Sequence, residues 1–145
     1  MSLWVAFCDG SAVPNPGRMG VGAVWVEPDG ARHTLSQALR ENGCNNEAEL
    51  KALLMTLAEL KLRGAKNLLV HCDNSIVVEQ LSNPAAKPIA RLSALFQEAR
   101  NLLHSFDQAS LVWIPSHRNS EADSLARAAL GITENRVVHA ANKRR

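Results

Sequence analysis

The hydrophobic period of this chain changes once, at Asn46, and that change restricts the folds it can adopt. Ahead of Asn46, short apolar runs are separated by turn residues, the signature of strands. Behind it, Leu50, Leu53, Leu54, Leu57 and Leu60 fall on one face of a helix, with Gly64 where a C-terminal cap belongs. A chain that opens with strands and then alternates helix with strand pairs its first strands as hairpins and adds the later ones by crossovers.

The individual elements follow from the same signals. Leu3 to Cys8 is an apolar run closed by Asp9-Gly10, a turn pair. Pro14-Asn15-Pro16-Gly17 reads as a tight turn with Pro and Gly placed for type II. Val21 to Val26 and Arg32 to Leu39 flank a hairpin turn at Pro28-Asp29-Gly30, and Asn42-Gly43 then breaks the pattern. Past the long helix, Leu68 to Cys72 is a buried strand and Ser75 to Leu81 a helix stopped by Asn83-Pro84. Pro88 opens a further helix through Leu103, Leu111 to Ile114 is a fifth strand, and Ser120 starts a helix through Leu130. The expected class is α/β: a five-stranded mixed sheet, strands one, four and five parallel, with helices on both faces.

At 145 residues one domain is expected, over residues 1–132, with a polar tail at 133–145 ending in Lys143-Arg144-Arg145. An apolar fraction of 46% with 21% charged residues excludes a disordered chain, a coiled coil and a collagen-like fibre. No apolar run approaches the ~18 residues of a membrane span, and Met1-Ser2-Leu3-Trp4 carries no secretory pattern. Three cysteines without a Cys-x-x-Cys pair fit reduced thiols, so a cytoplasmic monomer with no membrane partner is expected. A net charge of +2 does not announce a nucleic-acid binder, and six Phe and Trp residues with no Tyr count against one that stacks single-stranded bases.

The chemistry lies in four carboxylates at element ends. Asp9 ends the first strand and Asp73 the fourth, and as parallel neighbours these strands lie about 4.8 Å apart. Their last residues therefore meet at the carboxyl edge of the sheet, where open α/β folds place ligands. Glu49 and Asp123 lie in the first turns of two helices. Singly, each has a plain structural reading. Asp9-Gly10 and Asp73-Asn74 are turn pairs, while Asn46-x-x-Glu49 and Ser120-x-x-Asp123 fit a capping box. Together, like charges at one strand spacing repel and call for a cation. Oxygen ligands suit Mg2+ or Mn2+. Two such ions roughly 3.5–4 Å apart can activate a water and stabilise the leaving oxygen of a phosphodiester. Neither Ser11 nor Cys44 has the His-plus-acid partnership that covalent catalysis needs.

These residues resemble the type 1 ribonucleases H. The match runs through Asp9-Gly10-Ser11, Asn15-Pro16-Gly17, Asn45-Asn46-Glu47-Ala48-Glu49-Leu50 and Cys72-Asp73-Asn74-Ser75. It closes with Trp113-Ile114-Pro115-Ser116-His117-Arg118-Asn119 and Ala122-Asp123-Ser124-Leu125-Ala126, covering about residues 3 to 130 in order. The resemblance implies a ribonuclease H-like fold with strand order 3-2-1-4-5, and cleavage of the RNA strand of RNA/DNA hybrids with two divalent ions, Mg2+ or Mn2+. It makes Asp9 the ligand shared by both ions, Asp73 and Asp123 ligands of one each, and Glu49 a support for the site and the RNA strand. It makes His117 a mobile histidine that helps product release, and Asn15, Asn45 and Asn46 readers of the minor groove, where RNA shows its 2′-hydroxyls. Asn119 matches the family's Asn four positions before the last Asp, and is expected to cap or brace that loop rather than touch substrate.

The chain also departs from the family pattern. Cys44 stands where many members have a Thr that helps hold a DNA phosphate, and a thiol is a weak donor. Asn83 to Pro88 replaces the long basic protrusion of many bacterial members with a single Lys87, as in the compact subtype. Setting aside the four candidate ligands leaves 16 basic residues against 10 of the 14 acidic ones, a balance suited to a phosphate backbone. Arg91, Arg100, Arg127, Arg136 and the tail are the basic groups that could replace the protrusion, or they are solvated surface charges. Two other functions fit the same residues: a hybrid-binding module with little activity, and a related nuclease acting on another nucleic acid.

Overall fold

The computed structural model describes residues 2–132. The 133–145 tail, with Arg136 and the terminal Lys-Arg-Arg, lies outside the described residues. Three long strands come first: β1 (Leu3–Val13), β2 (Gly17–Val26) and β3 (Arg32–Gly43). Then follow α1 (Asn45–Leu62), β4 (Asn67–Cys72) and α2 (Ser75–Ser82). A 3-10 turn (Ala90–Leu92) leads into α3 (Ser93–His104), β5 (Gln108–Trp113), a second 3-10 turn (Ser116–Arg118) and α4 (Ser120–Ala129). The sheet order is β3-β2-β1-β4-β5, with the β1/β2 and β2/β3 pairs antiparallel and the β1/β4 and β4/β5 pairs parallel. Among the described residues no helix is long and apolar enough to cross a membrane.

The leucine stripe of α1 packs as its spacing predicts. Leu50, Leu53, Leu57 and Leu60 are fully buried, each contributing about 1.5–3 kcal/mol of apolar burial. The helix also packs against α3; Ala52 and Thr56 are buried as well, and the Thr56 hydroxyl donates to the Ala52 carbonyl. Phe96 and Ala99 of α3 join Trp4, Trp25, Val70 and Val77 in the same core. Gly64 has φ +86, so the α1 terminus is the left-handed cap that Gly accepts without strain. On the opposite face, α4 packs on β2 so closely that a Cβ at Gly22 would lie 2.3 Å from the Ala122 carbonyl oxygen.

Four local expectations are corrected. Asp9-Gly10 is not a turn: β1 continues through it to Val13, because β2 pairs with it along the whole length, Asp9 opposite Gly22. Gly10 is required for a different reason, since a Cβ there would fall 2.2 Å from the Ala48 backbone of α1. The turn before β2 is not type II, because Gly17 lacks the positive φ that type requires. Gly17 begins β2, and its missing side chain leaves room for the Pro14 carbonyl, 2.5 Å from where a Cβ would stand. β3 runs past Leu39 to Gly43 through an irregular register. Pro88 does not open a helix, and the first turn there starts at Ala90.

Candidate active site

Where β4 stops, β1 does not. Their register ends with Cys8 opposite Cys72, and β1 goes on to Val13 with an empty flank. Backbone groups on such a flank need partners, and α1 supplies them. The Gly10 N–H bonds to the Glu49 carboxylate, and the Ala12 N–H donates to Asn45 Oδ1 at 2.8 Å. The same gap places Asp9 beside Asp73, the first residue after β4. Trp113 at the end of β5 steadies that corner, its indole N–H donating to the Asp73 carbonyl at 3.2 Å.

Carboxylate oxygens of Asp9, Glu49 and Asp73 lie within 4.8 Å of one another. Asp9 is 1% exposed and Glu49 6%. Asp123, buried in the first turn of α4, stands outside this trio and shares a hydrogen bond with the Asp9 carboxyl. Burial, then the charge and hydrogen bond of Glu49, then Asp73 and Asp123, push Asp9 well above the usual carboxylate range. Burial also raises Glu49 well above its ordinary value, outweighing the hydrogen bonds from Asp9 and the Gly10 N–H. Asp9 Oδ2 is buried without a hydrogen-bond partner among the described residues. An orphaned buried oxygen in a set of mutually repelling carboxylates fits a hard divalent cation.

The thiols behind the site are neighbours, buried and free. The Cys72 sulfur reaches 3.9 Å from Glu49 Oε2, while Cys8 donates to the His71 carbonyl.

The candidate asparagines meet at the start of α1. The Asn45 N–H donates to Asn15 Oδ1 at 3.0 Å, and Asn74 Nδ2 donates to Asn46 Oδ1 at 2.8 Å. With Asn45 Oδ1 taken by Ala12, all three candidates have their carbonyl oxygen used inside the protein. Their NH2 groups have no partner among the described residues. Asn46 is not the helix cap. That place belongs to Cys44, whose side chain makes no capping bond and instead accepts from Arg91 Nη2 at 3.2 Å. Against a partial burial that raises it, Arg91 and the Glu47 and Asn46 backbone hold the Cys44 thiol below its usual value. Ser120 does not cap α4 either, because the N-cap is Asn119.

These groups border a cleft of about 460 Å3 that includes Gly10, Asn45, Asn46, Glu49 and Asp73. Arg127 of α4 lines the same cleft, its Nε buried with no hydrogen-bond partner among the described residues. His117 is not brought in. It sits exposed in the 3-10 turn before α4 and bonds to none of the four carboxylates. Sequence reasoning missed the two links that Asn74 and Asn119 make within the site. Asn119 Nδ2 donates to the Cys8 carbonyl at 2.9 Å and to Asp73 Oδ2 at 3.3 Å. The available signal was an Asn at each of two helix starts, read as a turn residue at Asn74 and as a cap or loop brace at Asn119.

A mixed sheet in this order, with carboxylates gathered where β1 and β4 part, defines a ribonuclease H-like domain. The chain belongs to the family described as reverse transcriptase-like, which matches residues 7–129. It is 32% identical over 123 residues to the bifunctional protein Rv2228c of Mycobacterium tuberculosis, covering 84% of this chain and 34% of that protein. The chain thus spans about a third of the length of the first curated relatives it matches. It is 32% identical over 125 residues to ribonuclease HI of Halobacterium salinarum, covering 86% of this chain and 63% of that enzyme. The crystal structure of the Halobacterium enzyme superposes with a TM-score of 0.83 at 31% identity, covering 89% of this chain and 98% of that one. LC11-RNase H1, solved in complex with an RNA/DNA hybrid, gives a TM-score of 0.77 at 26% identity, covering 88% and 96%.

Proposed function

We propose that the chain is a ribonuclease H, a metal-dependent endonuclease that hydrolyses the RNA strand of RNA/DNA hybrids. The observation that carries this reading is the trio of carboxylates within 4.8 Å at the parting of β1 and β4. Asp9, Glu49, Asp73 and Asp123 would hold the metal, Mg2+ or in its place Mn2+. Two divalent ions bound there would supply Lewis-acid activation of a water nucleophile and neutralise charge on the leaving oxygen. Asp9 would be the shared ligand, since its carboxyl is hydrogen-bonded towards both Glu49 and Asp123.

Three asparagine NH2 groups, held by their own carbonyl contacts, act as donors to the acceptors of the hybrid's minor groove. Cys44 with Arg91, and Arg127 across the cleft, take backbone phosphates. His117 assists product release from its exposed turn. The tail at 133–145 adds basic contacts to a catalytic domain at 1–132. The chain works as a cytoplasmic monomer, in keeping with its free thiols and with acids that all come from one chain.

The test is incubation with labelled RNA/DNA, RNA/RNA and DNA/DNA duplexes in Mg2+, Mn2+ or chelator. Metal-dependent cuts in the RNA of the hybrid alone are expected. Strong metal-independent hybrid binding without cleavage would sink the reading in favour of a binding module, and preference for another duplex would reassign the substrate.

A further inference from the structure

We propose that Asn119 is a positioning residue that holds the Asp73 carboxylate in its metal-binding orientation. The inference rests on the metal-dependent reading of the carboxylate site. Asn is among the best N-cap residues because its side chain can accept from the N–H groups of the next turn. Asn119 occupies the N-cap of α4 and makes no such bond. Its side chain is turned the other way and is 2% exposed. There the amide nitrogen bridges the Cys8 carbonyl at 2.9 Å and Asp73 Oδ2 at 3.3 Å.

The orientation of the amide is forced. Rotated by half a turn, its oxygen would face a carbonyl and a carboxylate, three acceptors with no proton among them. As it stands, Asn119 Oδ1 is buried with no hydrogen-bond partner among the described residues. The chain thus gives up a helix cap and leaves an acceptor unpaired, both destabilising, to keep this bridge.

The bridge joins the groups that must act together. Cys8 is the residue before Asp9, and Asp73 is held directly. The Asn119 carbonyl also accepts the Asp123 N–H at 3.1 Å, seating the first turn of α4. One residue therefore sets β1, the end of β4 and α4 relative to each other at the acids. A carboxylate free to rotate loses orientational entropy on binding an ion, and groups that brace metal ligands typically matter 10–100-fold in metal affinity or activity.

Asn119→Ser separates positioning from folding. Serine is a good N-cap, so α4 is retained, but its hydroxyl cannot span Cys8 and Asp73. The readouts are Mn2+ affinity by calorimetry on the protein without nucleic acid, melting temperature, and the metal concentration for half-maximal hybrid cleavage. Asn119→Ser should melt at or near the wild-type temperature, yet bind Mn2+ about tenfold more weakly. Its cleavage midpoint should rise by the same factor, with turnover largely recovered at saturating metal. Asn119→Ala should lose the same affinity with a lower melting temperature. Mn2+ affinity within twofold of wild type in Asn119→Ser overturns the proposal. So does an affinity that falls only in step with melting temperature across the two variants. If the wild-type protein binds Mn2+ but cleaves no hybrid, the functional reading fails, while the Asn119 assignment still stands or falls on the Mn2+ affinities.

Discussion

At the scale of single residues, the buried acids oppose the fold that holds them. Asp9 and Glu49 bind protons more tightly folded than unfolded. The folded state therefore holds more protons once pH exceeds the ordinary carboxylate range, and metal-free stability falls as pH climbs from there through the raised folded values. Melting temperature of the chelated protein should decline across that window, and saturating Mg2+ should flatten the decline because ions bind only the folded state. A pH-independent melting temperature in chelator would contradict the raised values. Asp9→Asn keeps the shape and removes a charge. It should lower cleavage by more than about 100-fold, beyond the cost of losing a group that merely braces a ligand. Without metal it should melt no lower than wild type, because a repulsion is relieved. Near-normal activity in Mg2+ would remove Asp9 from the site, and a clear fall in melting temperature would give it a structural role.

At the scale of elements, the site depends on how closely α1 approaches β1. Glu49 reaches the Gly10 N–H only because position 10 has no side chain. Gly10→Ala would drive a methyl into the Ala48 backbone and push the α1 start outwards. It should cost about 1–3 kcal/mol, the usual range for overpacking, measured by denaturant unfolding. Cleavage should fall further than stability alone explains, since Glu49 and Asn45 move with the helix. Gly30→Ala, at an open hairpin with φ +96 and nothing within 4 Å, is the control: a strained turn with an unaffected site. Equal activity in the two variants would mean that the α1 approach does not set the site.

At the scale of the whole molecule, the proposed function requires a modestly basic chain without a protrusion to hold a polyanion. Removing Lys143, Arg144 and Arg145 should raise KM more than it lowers kcat, because charges far along the chain from the acids would supply uniform binding. The dependence of log affinity on log salt should shallow by about 0.9 for each phosphate that is no longer neutralised on a B-DNA-like duplex. An unchanged salt dependence would assign the grip to Arg91 and Arg127 instead.

Much of this architecture is local information. The switch of period at Asn46, the leucine stripe and the glycine after it determined which segments are strand and which are helix. The hairpin-then-crossover order determined that the strand carrying Asp9 and the strand leading to Asp73 are parallel neighbours. Repulsion between such acids then pointed to a cation. Other features depended on contacts between residues far apart in sequence, and those only the tertiary structure decided. Asp9-Gly10 has turn chemistry but became mid-strand, because β2 pairs with it and α1 needs the space above Gly10. Asn119 has cap chemistry but turned inward, because Cys8 and Asp73, 111 and 46 residues away, offered it two acceptors. His117 matches the family motif yet lies exposed in a turn apart from the acids. Residue type and spacing specify what a side chain can bond to, but packing decides which of those partners comes within bonding distance.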